Sequence, residues 1–94
     1  MQVGALEIVL VIRGAQSLKE KRRVLKALKE RIRNRFEVSV AEVDSQDSWQ
    51  RAVIGVAMAG TDGRFITSVL SKVVDYARAF RGAEMVDHNI EILL

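Results

Sequence analysis

The spacing of apolar residues along this chain of 94 residues changes period four times. It runs at two, then about 3.6, then two through a pair of segments, then about 3.6 again, and ends at two. A period of two belongs to strands and about 3.6 to helices. Positions 3–13 alternate Leu6, Ile8, Leu10 and Ile12 against Ala5, Glu7, Val9, Val11 and Arg13, a strand with one face on a core. Gly14-Ala15-Gln16 makes the turn, and Ser17 stands three residues before Glu20, the capping-box spacing of a helix start. Leu18, Leu25, Leu28 and Ile32, with Val24 at the edge, then form one helical stripe.

Alternation returns at 36–44, with Phe36, Val38 and Val40 opposed to Ser39, Ala41 and Val43. A polar turn at 45–48 leads to a third strand at 49–59, in which Ala52, Ile54, Val56 and Met58 face inward and Arg51, Val53, Gly55 and Ala57 outward. The short turn makes these two strands an antiparallel hairpin. Thr61 or Asp62 caps a second helix whose stripe holds Phe65, Ile66, Val69, Leu70, Val73, Tyr76, Ala77 and Phe80, with Gly82 as its C′ glycine. The segment 84–94 turns Val86, His88, Ile90, Ile92 and Leu94 toward the core.

The order βαββαβ and the right-handed rule for crossovers put both helices on one face of a four-stranded antiparallel sheet. The expected architecture is therefore one α+β domain over residues 1–94, a ferredoxin-like sandwich. The length suffices for a single core. Proline is absent, and Gly4 and Gly55 are the glycines that fall inside strand patterns. Without cysteine there is no disulfide, no thiolate metal site and no cysteine nucleophile. No apolar run reaches the roughly 20 residues of a membrane-spanning helix. The N-terminal stretch lacks a basic n-region and a cleavage pattern. A soluble cytoplasmic protein is expected.

Charge is distributed unevenly. Between positions 13 and 35 stand ten basic and two acidic residues, a balance of +8, whereas the rest holds five basic and ten acidic, −5, giving +3 in all. On the first helix Lys19, Arg23, Lys26, Glu30 and Asn34 point away from the apolar stripe, and Arg22, Lys29 and Arg33 fill one flank. Lys21 alone falls beside the stripe, so it snorkels past the core edge or anchors something there. Two acids cannot neutralise the face. Clustered Lys and Arg of this kind bind polyanions by releasing counterions, although heat-stable proteins also carry solvated basic helices. Lys19, Arg22, Arg23, Lys26, Lys29 and Arg33 are the candidate nucleic-acid contacts.

The sheet face turned away from the helices would carry Val9, Val11, Ala41, Val43, Val53 and Ala57, an apolar set for a surface in water. A second copy packed there, giving a homodimer, is the expectation. Alternatives are a merely apolar surface and RNA stacked on the sheet, for which the central strands lack the aromatics. Trp49 reads as a packing residue at the hairpin end. His88 reads as a packed or edge histidine, and Glu42, Asp44 and Asp47 as hydrated acids of the hairpin. No catalytic constellation, cofactor fingerprint or metal set is found. Arg13-Gly14-Ala15 does not match the phosphate loop of an acylphosphatase.

The segments S-L-K-E-K-R-R at 17–23, R-F-E-V-S-V-A-E-V at 35–43, Trp49 and A-V-I-G-V-A at 52–57 resemble the DUF503 family, the YlxP-like proteins. The resemblance implies a bacterial protein of ferredoxin-like fold with no assigned activity and no catalytic residues to carry over. Ser17, Lys19, Lys21 and Arg22 match its signature block and Glu42 its strand motif. Its genes often stand beside those of translation-initiation and ribosome-maturation factors, which implies structured RNA or the ribosome as partner. The expectation is a non-enzymatic RNA- or ribosome-associated module. The alternative is a homodimeric protein-interaction or small-ligand regulatory module acting through the open sheet face.

Overall fold

A computed structural model describes residues 1–94. The elements are β1 (Gln2–Val11), α1 (Leu18–Arg35), β2 (Ser39–Asp44), β3 (Arg51–Gly60), α2 (Gly63–Arg78) and β4 (Glu84–Ile92). The strands lie in the order β2-β3-β1-β4 and every neighbouring pair is antiparallel. This is the ferredoxin-like α+β arrangement. Its core is fully enclosed: Leu6, Ile8 and Leu10 of β1 and Ile54 and Val56 of β3 meet Leu25, Leu28 and Ile32 of α1 and Ile66, Leu70, Val73 and Val74 of α2.

Both helix starts follow local chemistry. The Ser17 hydroxyl accepts from the Glu20 amide at 3.1 Å, and the Glu20 carboxylate reaches back to the amide of Gln16 at 2.7 Å, one residue earlier than in a standard capping box. Asp62 rather than Thr61 caps α2, accepting from the Arg64 amide.

Several expectations need correction. The fourth strand keeps the expected facing only after a bulge. Ile8 pairs with His88, but Leu10 pairs with Met85, so one extra residue enters β4 and reverses its parity. Met85 is thereby tucked against the core while Val86 is exposed. Because β4 is an edge strand, Ile92, Leu94 and His88 also stay exposed. On α2, Phe65 sits at 60% exposure, and Val74 takes a place in the core instead. Gly82 is not a left-handed cap: α2 ends at Arg78, and no glycine has positive φ.

The hairpin opens later than the alternation implies, since β3 begins at Arg51 and residues 45–50 form the loop. Trp49 lies in that loop at 55% exposure, so it does not pack the hairpin end. Gln50 ties the loop to the β1–α1 turn by donating to the carbonyls of Arg13 and Ala15, and its own carbonyl accepts from the Ile12 amide at 2.7 Å.

Candidate nucleic-acid interface

On α1 the residues that face inward are Lys21, Leu25, Leu28 and Ile32, so the helix rolls its cations outward by default. Lys21 is the exception, at 1% exposure. Its Nζ donates to the Ser45 carbonyl at 2.6 Å and lies 2.9 Å from Glu42 Oε2, whose side chain is largely enclosed. That oxygen accepts no directed hydrogen bond, so its charge is balanced by proximity to the ammonium alone. Glu42 is therefore not a hydrated acid of the hairpin. It shares the helix-facing side of β2 with Val40 and answers Lys21 across 21 positions of sequence. Ser45, the one non-glycine residue with positive φ, is held by this bond, by Asp44 on its amide and by Arg51 on its hydroxyl.

The six expected contacts all lie along the outer arc of the same helix. Lys19, Arg22, Arg23, Lys26 and Arg33 are exposed and Lys29 is half-buried. None takes part in an ion pair; the three ion pairs of the molecule are Arg13–Glu84, Lys21–Glu42 and Arg78–Asp75. Arg33 spends one guanidinium nitrogen on the Val40 carbonyl at 2.6 Å, which steers it toward the β2 edge.

The other side of α1 holds two cations that the charge pattern alone does not single out. Arg31 lies over the Phe80 ring at 5.3 Å and Arg35 over the Tyr76 ring at 5.2 Å. The two arginines are four residues apart, as are the two rings, so the pairs form two rungs across the seam between α1 and the α2 end of the chain. Tyr76 is steadied from behind by an edge-to-face contact with Phe36 at 5.8 Å. Position on a helical wheel shows the arginines. The aromatic backing needs the second helix, which sequence spacing does not place.

The open sheet face divides into two halves. Pairing sets Ala5 beside Glu91, Glu7 beside Asn89, Val9 beside Asp87 and Val11 beside Glu84, so the β1–β4 half carries an acidic row. The β2–β3 half is apolar, but less exposed than expected. Val53 is only 5% exposed, and Val9 and Val11 are half-buried within one copy. Val43 occupies a register break and leans across Gly55, where a Cβ would come within 2.8 Å of it. Ala41, Val43 and Ala57 remain as the exposed apolar set. The molecule thus presents cations on the helix layer and acids on the opposite face.

His88 is exposed, and the Asp87 carboxylate accepts from its backbone amide. No group of three His, Asp or Glu side chains gathers in a way that could hold a metal ion. No helix is long and apolar enough to cross a membrane.

Comparison with known proteins bears on family and fold. The chain is 37% identical over 78 residues to the uncharacterised protein YlxP of Bacillus subtilis (strain 168), covering 83% of this chain and 85% of that one. Among solved structures it superposes on the de novo designed protein Foldit4 with a TM-score of 0.57 at 12% identity, over 100% of this chain and 98% of that one, a likeness of fold alone. The family model described as "Protein of unknown function (DUF503)" matches residues 3–90, and the chain belongs to that family.

Proposed function

We propose that the chain is a non-enzymatic RNA-binding module that lays the outer face of α1 on the phosphate backbone of structured RNA, with ribosomal RNA as the first class to test. The observation that carries this reading is the unpaired state of Lys19, Arg22, Arg23, Lys26 and Lys29 on one helix of a protein whose remaining residues are acidic on balance. Such a concentration of like charge opposes folding, and a polyanion relieves it by exchanging condensed counterions for fixed cations. Arg33 contributes at the β2 edge. The capping pair Ser17 and Glu20 sets where the cationic helix begins, which makes their role structural.

The test is fluorescence anisotropy with a structured ribosomal RNA fragment across a salt series. Wild-type affinity falls steeply with log salt. Arg23→Glu combined with Lys26→Glu weakens binding at least about tenfold and flattens the salt slope by roughly two, one for each phosphate that no longer meets a cation. The loss is the same for unrelated RNA sequences, because phosphate contacts carry no base information. Unchanged binding in the reversal variant would remove α1 as the surface.

A second reading places another copy of the chain on the β2–β3 half of the open sheet. It is favoured by a shallow concavity of about 310 Å³ floored by Ala5, Gly55 and Ala57 beside Val43. The acidic row on β1 and β4 would repel its own copy, so contact is offset toward the β2 edge. Sedimentation equilibrium tests this directly: a wild-type dimer becomes a monomer in Ala57→Arg. A wild-type chain that stays monomeric at every concentration rules the dimer out.

A further inference from the structure

A concavity of about 580 Å³ lies between α1 and the segment that follows α2. Three guanidinium groups line it, from Arg23, Arg31 and Arg81, with no carboxylate among them. None of the three takes part in an ion pair. Arg23, Ala27 and Arg31 stand in one row at a spacing of four, and the small Ala27 opens a slot between the two longer side chains. At the floor, Phe80 carries the Arg31 guanidinium over its ring at 5.3 Å. Gly82 closes the far wall at minimal bulk. A Cβ there would stand 2.7 Å from Phe80 Cε2 and 3.1 Å from Val24 Cγ1, so close approach, not φ, accounts for the glycine.

We propose that this groove seats one unpaired nucleotide of a bound RNA, its phosphate held by Arg23 and Arg81 and its base stacked on the Arg31 guanidinium that Phe80 backs. The inference rests on the RNA-binding reading above and adds the feature of RNA that is recognised. Unpaired bases stack on aromatic rings and on guanidinium planes, whereas bases inside a duplex offer no free face. Phe80 lowers the entropy lost on stacking because it holds the guanidinium against its ring before the base arrives. An acidic peptide would use the charge and leave the Arg31–Phe80 pair unemployed. The groove is also continuous with the outer arc of α1 through Arg23, so a duplex lying on that arc presents a bulged nucleotide directly to the slot.

The experiment compares three hairpin RNAs of equal stem length: fully paired, with a single-nucleotide bulge, and with the bulged nucleotide made abasic. Wild-type protein binds the bulged hairpin about tenfold tighter than the other two, the scale of one stacked base. Arg31→Lys keeps the charge and removes the plane. It abolishes the preference while leaving affinity for the paired hairpin within about twofold. Circular dichroism melting checks that Arg31→Lys is folded, and because position 31 is exposed the variant is expected to melt with wild type. Equal binding of paired and bulged hairpins by wild type overturns the nucleotide site and leaves the phosphate-binding helix standing. A preference that survives Arg31→Lys, or that persists for the abasic bulge, also overturns it. Failure to bind any of the three at low salt removes the RNA reading itself, and a polyglutamate peptide that binds as tightly as the bulged hairpin replaces the nucleotide with an acidic protein segment.

Discussion

Lys21→Met is expected to lose about 3 kcal/mol of folding stability, which lowers the thermal midpoint by more than about 10 °C for a domain of this size. Methionine keeps the unbranched stem that packs at 1% exposure and removes only the ammonium. The Ser45 carbonyl then loses a donor, and the Glu42 carboxylate loses its counter-charge. The Ser45 carbonyl retains the Ser48 amide at 3.1 Å and suffers little. Glu42 suffers more, because Oε2 has no other partner and is cut off from solvent. An uncompensated carboxylate at that depth is the main cost, since breaking a buried pair from one side leaves a bare charge. The partly open position of the Glu42 side chain puts the loss at the lower end of the usual range for buried pairs.

The same reasoning predicts that Lys21→Met with Glu42→Leu regains most of what the single variant loses, because both charges leave together. Chemical denaturation of the four proteins in this cycle measures the coupling. A single variant as stable as wild type would mean that the pair contributes nothing to anchoring the hairpin. The pair also separates two roles inside one short block of sequence. Lys19, Arg22 and Arg23 point to solvent and Lys21 inward, so the helix that carries the candidate interface is fastened to residues 42–45 through its own first turn.

Most of the fold is legible in the amino-acid sequence, and the reasons are particular. Leu6, Ile8 and Leu10, and Leu25, Leu28 and Ile32, announce their elements because burying one face imposes a fixed spacing, and the crossover rule then orders the strands. The cationic helix is legible because charge density along a helix needs no tertiary information. Facing along β4 is not, since a bulge at Val86 shifts parity without leaving any mark on composition. The partner of Lys21 stays hidden because Glu42 sits on another element. The acidic row requires knowing that β4 pairs with β1, which alone aligns Glu84, Asp87 and Glu91 beside Val11, Val9 and Ala5. The groove is least legible of all. Arg31 and Phe80 are 49 positions apart, and Phe80 in isolation reads as one more residue of an apolar stripe.

Gly4→Val is expected to lose about 3 kcal/mol of folding stability. Glycine inside a central strand is ordinarily a weakness, worth roughly 0.5–1 kcal/mol relative to alanine, so its presence calls for a cause. Gly4 pairs with Met58 on one side and Ile92 on the other, and its missing side chain would point at α2. A Cβ there would lie 2.4 Å from Ile66 Cγ2 and 3.1 Å from Leu70 Cδ1. The first of these is a branch atom on a fully buried side chain, and it cannot swing aside as the tip of a long chain would. The first turns of α2 therefore rest directly on the backbone of β1. Valine forces that helix outward or Ile66 off its rotamer, and either disturbs the packing of Leu70 beside it. Alanine produces the same effect at smaller scale, partly offset by the lower entropy of its unfolded chain. Pairing Gly4→Val with Ile66→Ala supplies space where the new methyls fall, so the double variant is expected to be more stable than the sum of the single losses implies. Additive losses in thermal or urea unfolding would show that α2 is not seated on Gly4. If the coupling appears, the glycine sets the distance between helix layer and sheet at the end of α2 remote from the groove at Phe80 and Gly82.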